Sequence, residues 1–172
     1  ENPTYSSIGD HTETIEIEYD PAKISYAELL RIFWSAHDPY GSVWNLQYRS
    51  AIFVHSEEQR RLATETRREY AGDREGSVTT AIIPAGTFYD AEDYHQKYSL
   101  RREKALLEEF RLVYPDERDF RRSTAAARVN GLLGGYGTFE EVEKAVIQLG
   151  LSPKARKRLL SKVVSASDSR FC

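Results

Sequence analysis

The sequence predicts an α+β domain followed by a helical extension, and three observations support this. Residues 12–19 alternate between two faces, as side chains on a β-strand do. From Tyr26 to His37, apolar residues recur on one helical face. After residue 115 the composition becomes helical and basic. The chain of 172 residues, 40% hydrophobic, suits one domain with a small appendage, so we expect a core at 1–115 and a helical extension at 116–172.

The strand predicted at residues 12–19 carries an unusual side chain. Glu13 shares one face of this strand with Ile15, Ile17 and Tyr19. A carboxyl group on an apolar face loses hydration, which favours its protonated form and enables it to donate a proton to a substrate. The alternative is that Glu13 lies at the frayed start of the strand, where its side chain still meets water. Alternation by itself slightly favours this alternative.

Capping and turn signals predict the remaining elements of the core. Ser25 and Glu28 match a capping box, which begins a helix with Tyr26, Leu29, Leu30, Phe33 and His37 on its apolar face. The elements expected after it are a strand at 47–55, a charged surface helix from Ser56 to about Tyr70, a strand at 78–83, a short helix within 88–98 capped by Asp90, and a helix at 100–112.

The extension reads as a series of helices. The pattern predicts helices at 116–129, ending at Asn130-Gly131, then from Thr138, with Glu141 completing a capping box, to Gly150, and then from Ser152-Pro153 onward.

Charge and cysteine content restrict the possible partners. Residues 1–100 carry 9 Lys/Arg and 17 Asp/Glu, whereas residues 101–172 carry 15 and 10. Basic helical faces are usually just solvated, so this asymmetry is weak evidence for a charged partner, and we expect no nucleic acid. No apolar run is long enough to cross a membrane. The single cysteine, Cys172, is consistent with a reducing compartment, and we expect a cytoplasmic protein.

Three short motifs contain residue types that could carry chemistry. The pair His11 and Glu13 supplies two ligands on one strand face with no third nearby, so no metal is expected. The motif FYDAEDYHQKY at 88–98 could bind a small polar ligand, but an aromatic helix end packed on the sheet is the better interpretation from the residues alone. The motif LLGGYG at 132–137 lacks the Lys-Ser/Thr of a phosphate loop and is read as a connector.

Five segments taken together are more specific than any one of them. They are NPTY at 2–5, HTE at 11–13, ISYAELLRIFWSAHDP at 24–39, QYRSAIF at 47–53 and FYDAEDYHQKY at 88–98. In this order and spacing the chain resembles the peptide-methionine sulfoxide reductase A family. The segment ARVNGLLGGYG at 127–137 and the terminal Phe171-Cys172 resemble a divergent animal branch of that family.

The resemblance implies a ferredoxin-like core, with a mixed sheet and flanking helices, that reduces methionine-S-sulfoxide, free or in proteins. In the family, a cysteine thiolate attacks the sulfoxide sulfur, a glutamic acid protonates the departing oxygen and two tyrosines polarise it. A second cysteine then converts the sulfenic acid to a disulfide, which thioredoxin or dithiothreitol reduces. By motif, Glu13 matches the acid, Tyr5 and Tyr48 match the tyrosines, and Cys172 matches a resolving cysteine. This match favours the functional interpretation of Glu13.

The resemblance also implies which residues contact the substrate and which partners and cofactors the protein uses. His11, Tyr94 and His95 are expected to contact substrate. We expect a monomeric protein-repair enzyme of oxidative stress that uses thioredoxin, needs no cofactor or metal, and binds no nucleic acid or membrane.

Two departures from the family pattern leave alternatives open. The family nucleophile lies in a Gly-Cys-Phe-Trp-Gly motif upstream of NPTY, and this chain begins after that motif, so we expect the chain alone to be inactive. Val43 stands where the family has an Asp. One alternative is a catalytically degenerate domain that binds oxidised peptides without turnover. The other is a scaffold whose basic tail, residues 154–162, binds an acidic partner.

Overall fold

The computed structural model describes residues 9, 11–42, 44–137 and 139–168. These residues form a mixture of α-helices and β-strands, and the chain divides into two compact units, Glu1–Asp90 and Ala91–Cys172. The functional division expected at residue 115 stays a prediction. None of the helices in the described ranges is long and apolar enough to span a membrane.

The first unit is built around a β-α-β crossover. Strand β1 (Ala51–Val54) leads into a long helix (Glu57–Ala71) and a 3₁₀ helix (Gly72–Ser77), and the chain then returns as β2 (Ala81–Pro84). The two strands are parallel, with Ala51 opposite Ala81 and Val54 opposite Pro84. Parallel neighbours require a crossover connection, which the long helix supplies. The charged helix predicted after Ser56 is therefore confirmed.

The first helix, α1 (Tyr26–Ser35), starts at the predicted capping box. The Ser25 hydroxyl accepts a hydrogen bond from the Glu28 N–H (3.2 Å), and the Glu28 carboxylate accepts one from the Ser25 N–H (2.8 Å). The side-chain and backbone hydrogen bonds from Ser25 lower the pKa of Glu28. The helix packs its apolar face into the buried core of this unit, which is formed by Leu30, Trp34, Ile52, Val54 and Ala63. The helix between the two strands, Glu57–Ala71, is α2.

The strand predicted at residues 12–19 is wrong. These residues have irregular backbone, and Ile15 and Ile17 are 81% and 54% exposed. Within the described residues, the backbone of this segment makes one hydrogen bond to another segment, from the Glu13 N–H to the Gln47 C=O. A strand needs a ladder of such bonds, and alternation of side chains does not supply one.

The described sheet is consequently smaller than expected. It has two parallel strands, where three strands of a mixed sheet were predicted. The strand expected at 47–55 begins only at Ala51, because Leu46–Tyr48 forms a 3₁₀ helix. The strand expected at 78–83 likewise begins at Ala81. The ferredoxin-like arrangement stays a prediction.

The second unit is helical in its described part. Its helices are α3 (Tyr98–Arg101), α4 (Lys104–Val113), α5 (Glu117–Arg122), α6 (Thr124–Leu133), α7 (Phe139–Gln148) and α8 (Pro153–Asp168). They enclose one apolar core whose largest fully buried side chains are Phe120, Leu100, Leu106, Leu159, Val129 and Val142. Ser152 begins α8 as predicted, because its hydroxyl accepts a hydrogen bond from the Ala155 N–H at 3.2 Å.

Several predicted helix boundaries in this unit are wrong. Residues 93–97 form turns where a helix capped by Asp90 was expected. The helix expected at 116–129 breaks at Ser123, whose hydroxyl accepts from the Ala126 N–H at 3.1 Å and starts α6. Helix α6 continues through Asn130-Gly131 to Leu133, and the Asn130 side chain accepts from the Leu100 N–H at 3.2 Å, a tertiary contact. Thr138 lies outside the described residues.

Candidate functional site

Glu13 is held against the turn at residues 45–48 by two hydrogen bonds. The Glu13 N–H donates to the Gln47 C=O, and the Gln47 side-chain Nε2 donates to Glu13 Oε1, both at 2.9 Å. The preceding residue strengthens this contact, since Thr12 Oγ1 donates to the Leu46 C=O at 3.0 Å and accepts from Arg49 Nε at 2.9 Å. The fold therefore brings the HTE and QYRS motifs together.

The turn that carries Tyr48 is the 3₁₀ helix Leu46–Tyr48. Asn45 fixes this turn, because its Oδ1 accepts from the Gln47 N–H at 2.9 Å and its C=O accepts from the Tyr48 N–H at 3.3 Å. The Tyr48 ring is 46% exposed, and its centroid lies 5.6 Å from that of Trp44, which is 76% exposed. Tyr48 directly follows Gln47, the residue that binds Glu13, and both Tyr48 and Glu13 are exposed.

The environment of Glu13 differs from the one the sequence suggested. Glu13, Ile15 and Ile17 are all exposed, so the apolar face they were expected to share does not form. The physical reason is that residues 12–19 do not form a strand in the described structure, so their side chains do not alternate between a buried and an exposed face. In the described structure, the distinguishing feature of Glu13 is its hydrogen bond to Gln47 and not burial.

His11 contacts Tyr89, a residue of the first unit that belongs to the motif at 88–98. Its exposed ring meets the Tyr89 ring edge-on, with centroids 5.4 Å apart and planes at 85°. Edge-to-face contacts of this kind are favourable for aromatic pairs. His11 lies two residues before Glu13 in the sequence. A role of His11 toward substrate stays a prediction.

Tyr94 and His95 lie in the second unit. Their rings are exposed and neighbour each other, with centroids 4.1 Å apart. The His95 N–H donates to the Glu92 C=O at 2.9 Å within the turns that precede α3. This local structure ends at Lys97, whose backbone is left-handed with φ 54°. The expected contacts of Tyr94 and His95 with substrate stay predictions.

Three residues singled out from the sequence lie outside the described residues. They are Tyr5 and Cys172, expected as a catalytic tyrosine and a resolving thiol, and Val43, which stands at the position of the family Asp. Their proposed roles therefore rest on motif position alone.

The structure adds three residues that the sequence analysis did not single out. Thr12, Gln47 and Arg49 form the hydrogen-bond network that holds Glu13. Gln47 and Arg49 belong to the QYRS motif, which was interpreted as the start of a strand. Asn45 is the residue from which the turn could have been predicted, because an Asn side chain readily caps a turn and so argues against a strand at this point.

The described side chains offer little for metal binding. Among residues 9, 11–42, 44–137 and 139–168, no three His, Cys, Asp or Glu side chains are grouped so as to hold a metal ion.

Comparisons with known proteins agree with these motifs. The model of a family described as peptide methionine sulfoxide reductase matches residues 1–127. A peptide methionine sulfoxide reductase of Drosophila melanogaster is 39% identical over 158 residues, which cover 90% of this chain and 63% of the relative. Peptide methionine sulfoxide reductase MsrA of Methanothermobacter thermautotrophicus is 49% identical over 109 residues, or 57% of this chain and 64% of the relative.

A plant relative extends the same pattern. Peptide methionine sulfoxide reductase A5 of Arabidopsis thaliana is 42% identical over 136 residues, which cover 76% of this chain and 53% of the relative. The matches to these three relatives thus span between about half and two thirds of each relative's length.

Proposed function

The chain belongs to the peptide methionine sulfoxide reductase family, and on that premise we propose that the protein reduces methionine-S-sulfoxide to methionine. The observation that carries the proposal is the pairing of Glu13 with Gln47, which brings the HTE motif beside the turn that ends in Tyr48. The pairing supports a site in which the exposed Glu13 carboxyl group and the exposed Tyr48 phenol bind and protonate a polar oxygen.

The proposed chemistry transfers one oxygen atom. A cysteine thiolate attacks the sulfoxide sulfur, Glu13 gives a proton to the sulfoxide oxygen, and the hydroxyls of Tyr48 and Tyr5 donate hydrogen bonds to that oxygen. The products are methionine and a cysteine sulfenic acid. A second thiol condenses with the sulfenic acid, forming a disulfide and releasing water. An external dithiol then reduces the disulfide to two thiols.

The proposal assigns the second thiol to Cys172, the single cysteine of the 172 residues. The attacking thiolate is therefore a further thiol that the reaction requires besides Cys172. It follows that the 172-residue polypeptide by itself should not reduce sulfoxide. We place the core of the reductase at residues 1–115, in a ferredoxin-like arrangement, and treat 116–172 as its helical extension.

The same premise suggests the partners. We propose that the substrates are oxidised proteins and free methionine sulfoxide, that thioredoxin is the reductant, and that the enzyme acts as a monomer in the cytoplasm. His11, Tyr94 and His95 are proposed to contact the substrate. The chemistry requires thiols and proton donors, and a prosthetic group has no step to perform in it.

The function is tested at Glu13 in the full-length protein, by which we mean a polypeptide that contains the attacking cysteine in addition to residues 1–172. With dithiothreitol as reductant and a methionine-S-sulfoxide peptide as substrate, Glu13→Gln should lower kcat by roughly 10²–10⁴-fold, because the amide keeps the shape but cannot give up a proton. KM should change little. Glu16→Gln, at an exposed acid three residues away, is the matched control and should keep the parent rate.

Two outcomes would overturn the proposal. One is that Glu13→Gln reduces the sulfoxide at the rate of the parent. The other is that the parent protein binds the oxidised peptide but does not turn over, which would instead indicate a degenerate binding domain.

The role of Cys172 needs a separate measurement. The full-length protein is oxidised with one equivalent of substrate, free thiols are alkylated, and peptides are mapped by mass spectrometry. A disulfide that includes Cys172 is expected. Recovery of Cys172 in fully alkylated form would remove it from the mechanism without affecting the assignment of Glu13.

A further inference from the structure

We propose that Gln47 is a positioning residue for Glu13, which holds one carboxyl oxygen so that the other one faces the reaction. The inference rests on the proposed function, because it concerns the proton that Glu13 gives to the sulfoxide oxygen. It extends that function to a side chain which does not itself touch the reacting atoms.

Hydrogen bonds hold the backbone of Gln47 in place and thereby position its side chain. Asn45 Oδ1 accepts from the Gln47 N–H at 2.9 Å and so fixes the start of the turn. The Gln47 C=O accepts from the Glu13 N–H at the same distance. The Gln47 side chain is half-buried, so it is more constrained than a fully exposed side chain. These contacts place the amide of Gln47 against the Glu13 carboxyl group before any substrate arrives.

The direction of the side-chain hydrogen bond decides which carboxyl oxygen of Glu13 can carry the proton that is donated to the substrate. Gln47 Nε2 donates to Oε1 at 2.9 Å, so Oε1 acts as an acceptor and a proton on the carboxyl group belongs on Oε2. Among the described residues, Oε2 has no hydrogen-bond partner, and Glu13 is exposed. The acidic proton is therefore presented outward, where a substrate oxygen can accept it.

The contribution of Gln47 should be larger in the transition state than in the ground state. When the proton leaves Oε2, negative charge spreads over both oxygens of Glu13. The hydrogen bond from Gln47 then becomes charge-assisted, and such bonds are stronger than those between neutral groups. Because an interaction that strengthens only in the transition state acts on the chemical step, kcat should depend on Gln47 more than KM does.

The test compares two substitutions in the full-length protein. Gln47→Leu removes the donor, and Gln47→Glu keeps the size of the side chain and its backbone contacts but replaces the donor with an acceptor. Each should lower kcat by about tenfold with little change in KM. Gln148→Leu, at an exposed glutamine at the end of α7, is the matched control and should leave both constants unchanged.

A double variant separates positioning from a merely structural effect. In the Glu13→Gln background no proton leaves residue 13, so Gln47→Leu should change kcat by less than about twofold. An equal loss in both backgrounds, or a parent-like kcat for both Gln47 variants, would overturn the inference. Either result leaves the proposed function standing if Glu13→Gln alone is slow, whereas a fast Glu13→Gln enzyme overturns the proposed function itself.

Discussion

At the scale of single residues, one buried polar pair ties α1 to α2. Trp34 is 1% exposed and its Nε1 donates to Thr66 Oγ1 at 3.0 Å, where Thr66 is 2% exposed. The Thr66 hydroxyl in turn donates to the Leu62 C=O of its own helix at 2.9 Å. The indole N–H is therefore satisfied inside the core, as buried polar groups generally are.

Thr66→Val should destabilise the protein more than its small change in shape suggests. The substitution keeps the volume but leaves the buried N–H of Trp34 without an acceptor, which costs about 1–3 kcal/mol. Urea denaturation followed by fluorescence measures this difference in the free energy of unfolding.

Thr64→Val provides the comparison on the same helix. The Thr64 hydroxyl donates to the Arg60 C=O of its own helix at 2.9 Å and is half-exposed, so its loss should cost little. Equal costs for the two substitutions would show that the contact with Trp34 contributes nothing particular.

At the scale of elements, the start of α1 shows how strongly a local signal can fix a helix boundary. Ser25 accepts from the Glu28 N–H while Glu28 accepts from the Ser25 N–H, so two backbone groups and two side chains satisfy each other. The helix then places Leu30 and Trp34 in the core. The boundary was predictable because all four groups lie within four residues.

Ser25→Ala should lower the free energy of unfolding by about 1 kcal/mol, the usual cost of losing an N-cap side chain. Thermal and urea denaturation monitored by circular dichroism provide the measurement. Ser35→Ala, at the other end of α1, is the control, because its hydroxyl only donates to the Ile32 C=O at 2.9 Å. If both variants lose the same stability, the capping box is not what stabilises this helix.

At the scale of the whole chain, several basic side chains of the C-terminal part form ion pairs inside the second unit. Glu103 lies before α4 and receives Arg158 Nη2 at 3.0 Å and Lys162 Nζ at 2.8 Å, both from α8. Glu117 is bound by Arg101 and Arg111. Glu103 therefore joins the start of α4 to the distant helix α8, whereas Glu117 joins α5 to the two helices before it. The ion pairs of Arg158 and Lys162 with Glu103 weaken the view of the basic tail as a free docking surface.

The ion pairs of Glu103 make the stability of the second unit sensitive to acid. Burial raises the pKa of Glu103, but hydrogen bonds from Lys162 and Arg158 outweigh it and lower the pKa below its ordinary value. A carboxylate with a lowered pKa stabilises the folded state above its unfolded pKa, and this contribution is lost as the pH falls through the folded pKa.

Glu103→Gln should accordingly cost about 1–2 kcal/mol at neutral pH. The difference from the parent should shrink as the pH falls below the ordinary pKa of a glutamate and through the lowered pKa of Glu103. Urea denaturation at a series of pH values measures it. Glu108→Gln, at an exposed acid on α4, should have little effect at any pH. A cost for Glu103→Gln that does not change with pH would contradict the ion-pair explanation.

The sequence by itself determined the family, the mixed α/β character and the starts of α1, α2 and α8. These features rest on signals within a few residues, such as the caps at Ser25, Ser56 and Ser152. The motifs also singled out Glu13 and Tyr48 as candidate site residues. Short-range hydrogen bonds and motif spacing are written directly in the chain, so no knowledge of the fold is needed to recognise them.

Only the tertiary structure decided what surrounds those residues. The alternation at 12–19 indicated a strand and a buried acid, yet among the described residues the backbone hydrogen bond that joins this segment to another one is that of Glu13, and the segment is irregular and mostly exposed. In the same way, Asn130-Gly131 indicated a helix end, but the Asn130 side chain binds the Leu100 N–H and α6 continues. The partner of Glu13 is Gln47, 34 residues away. A contact across such a distance depends on how the elements pack, and no local pattern encodes it.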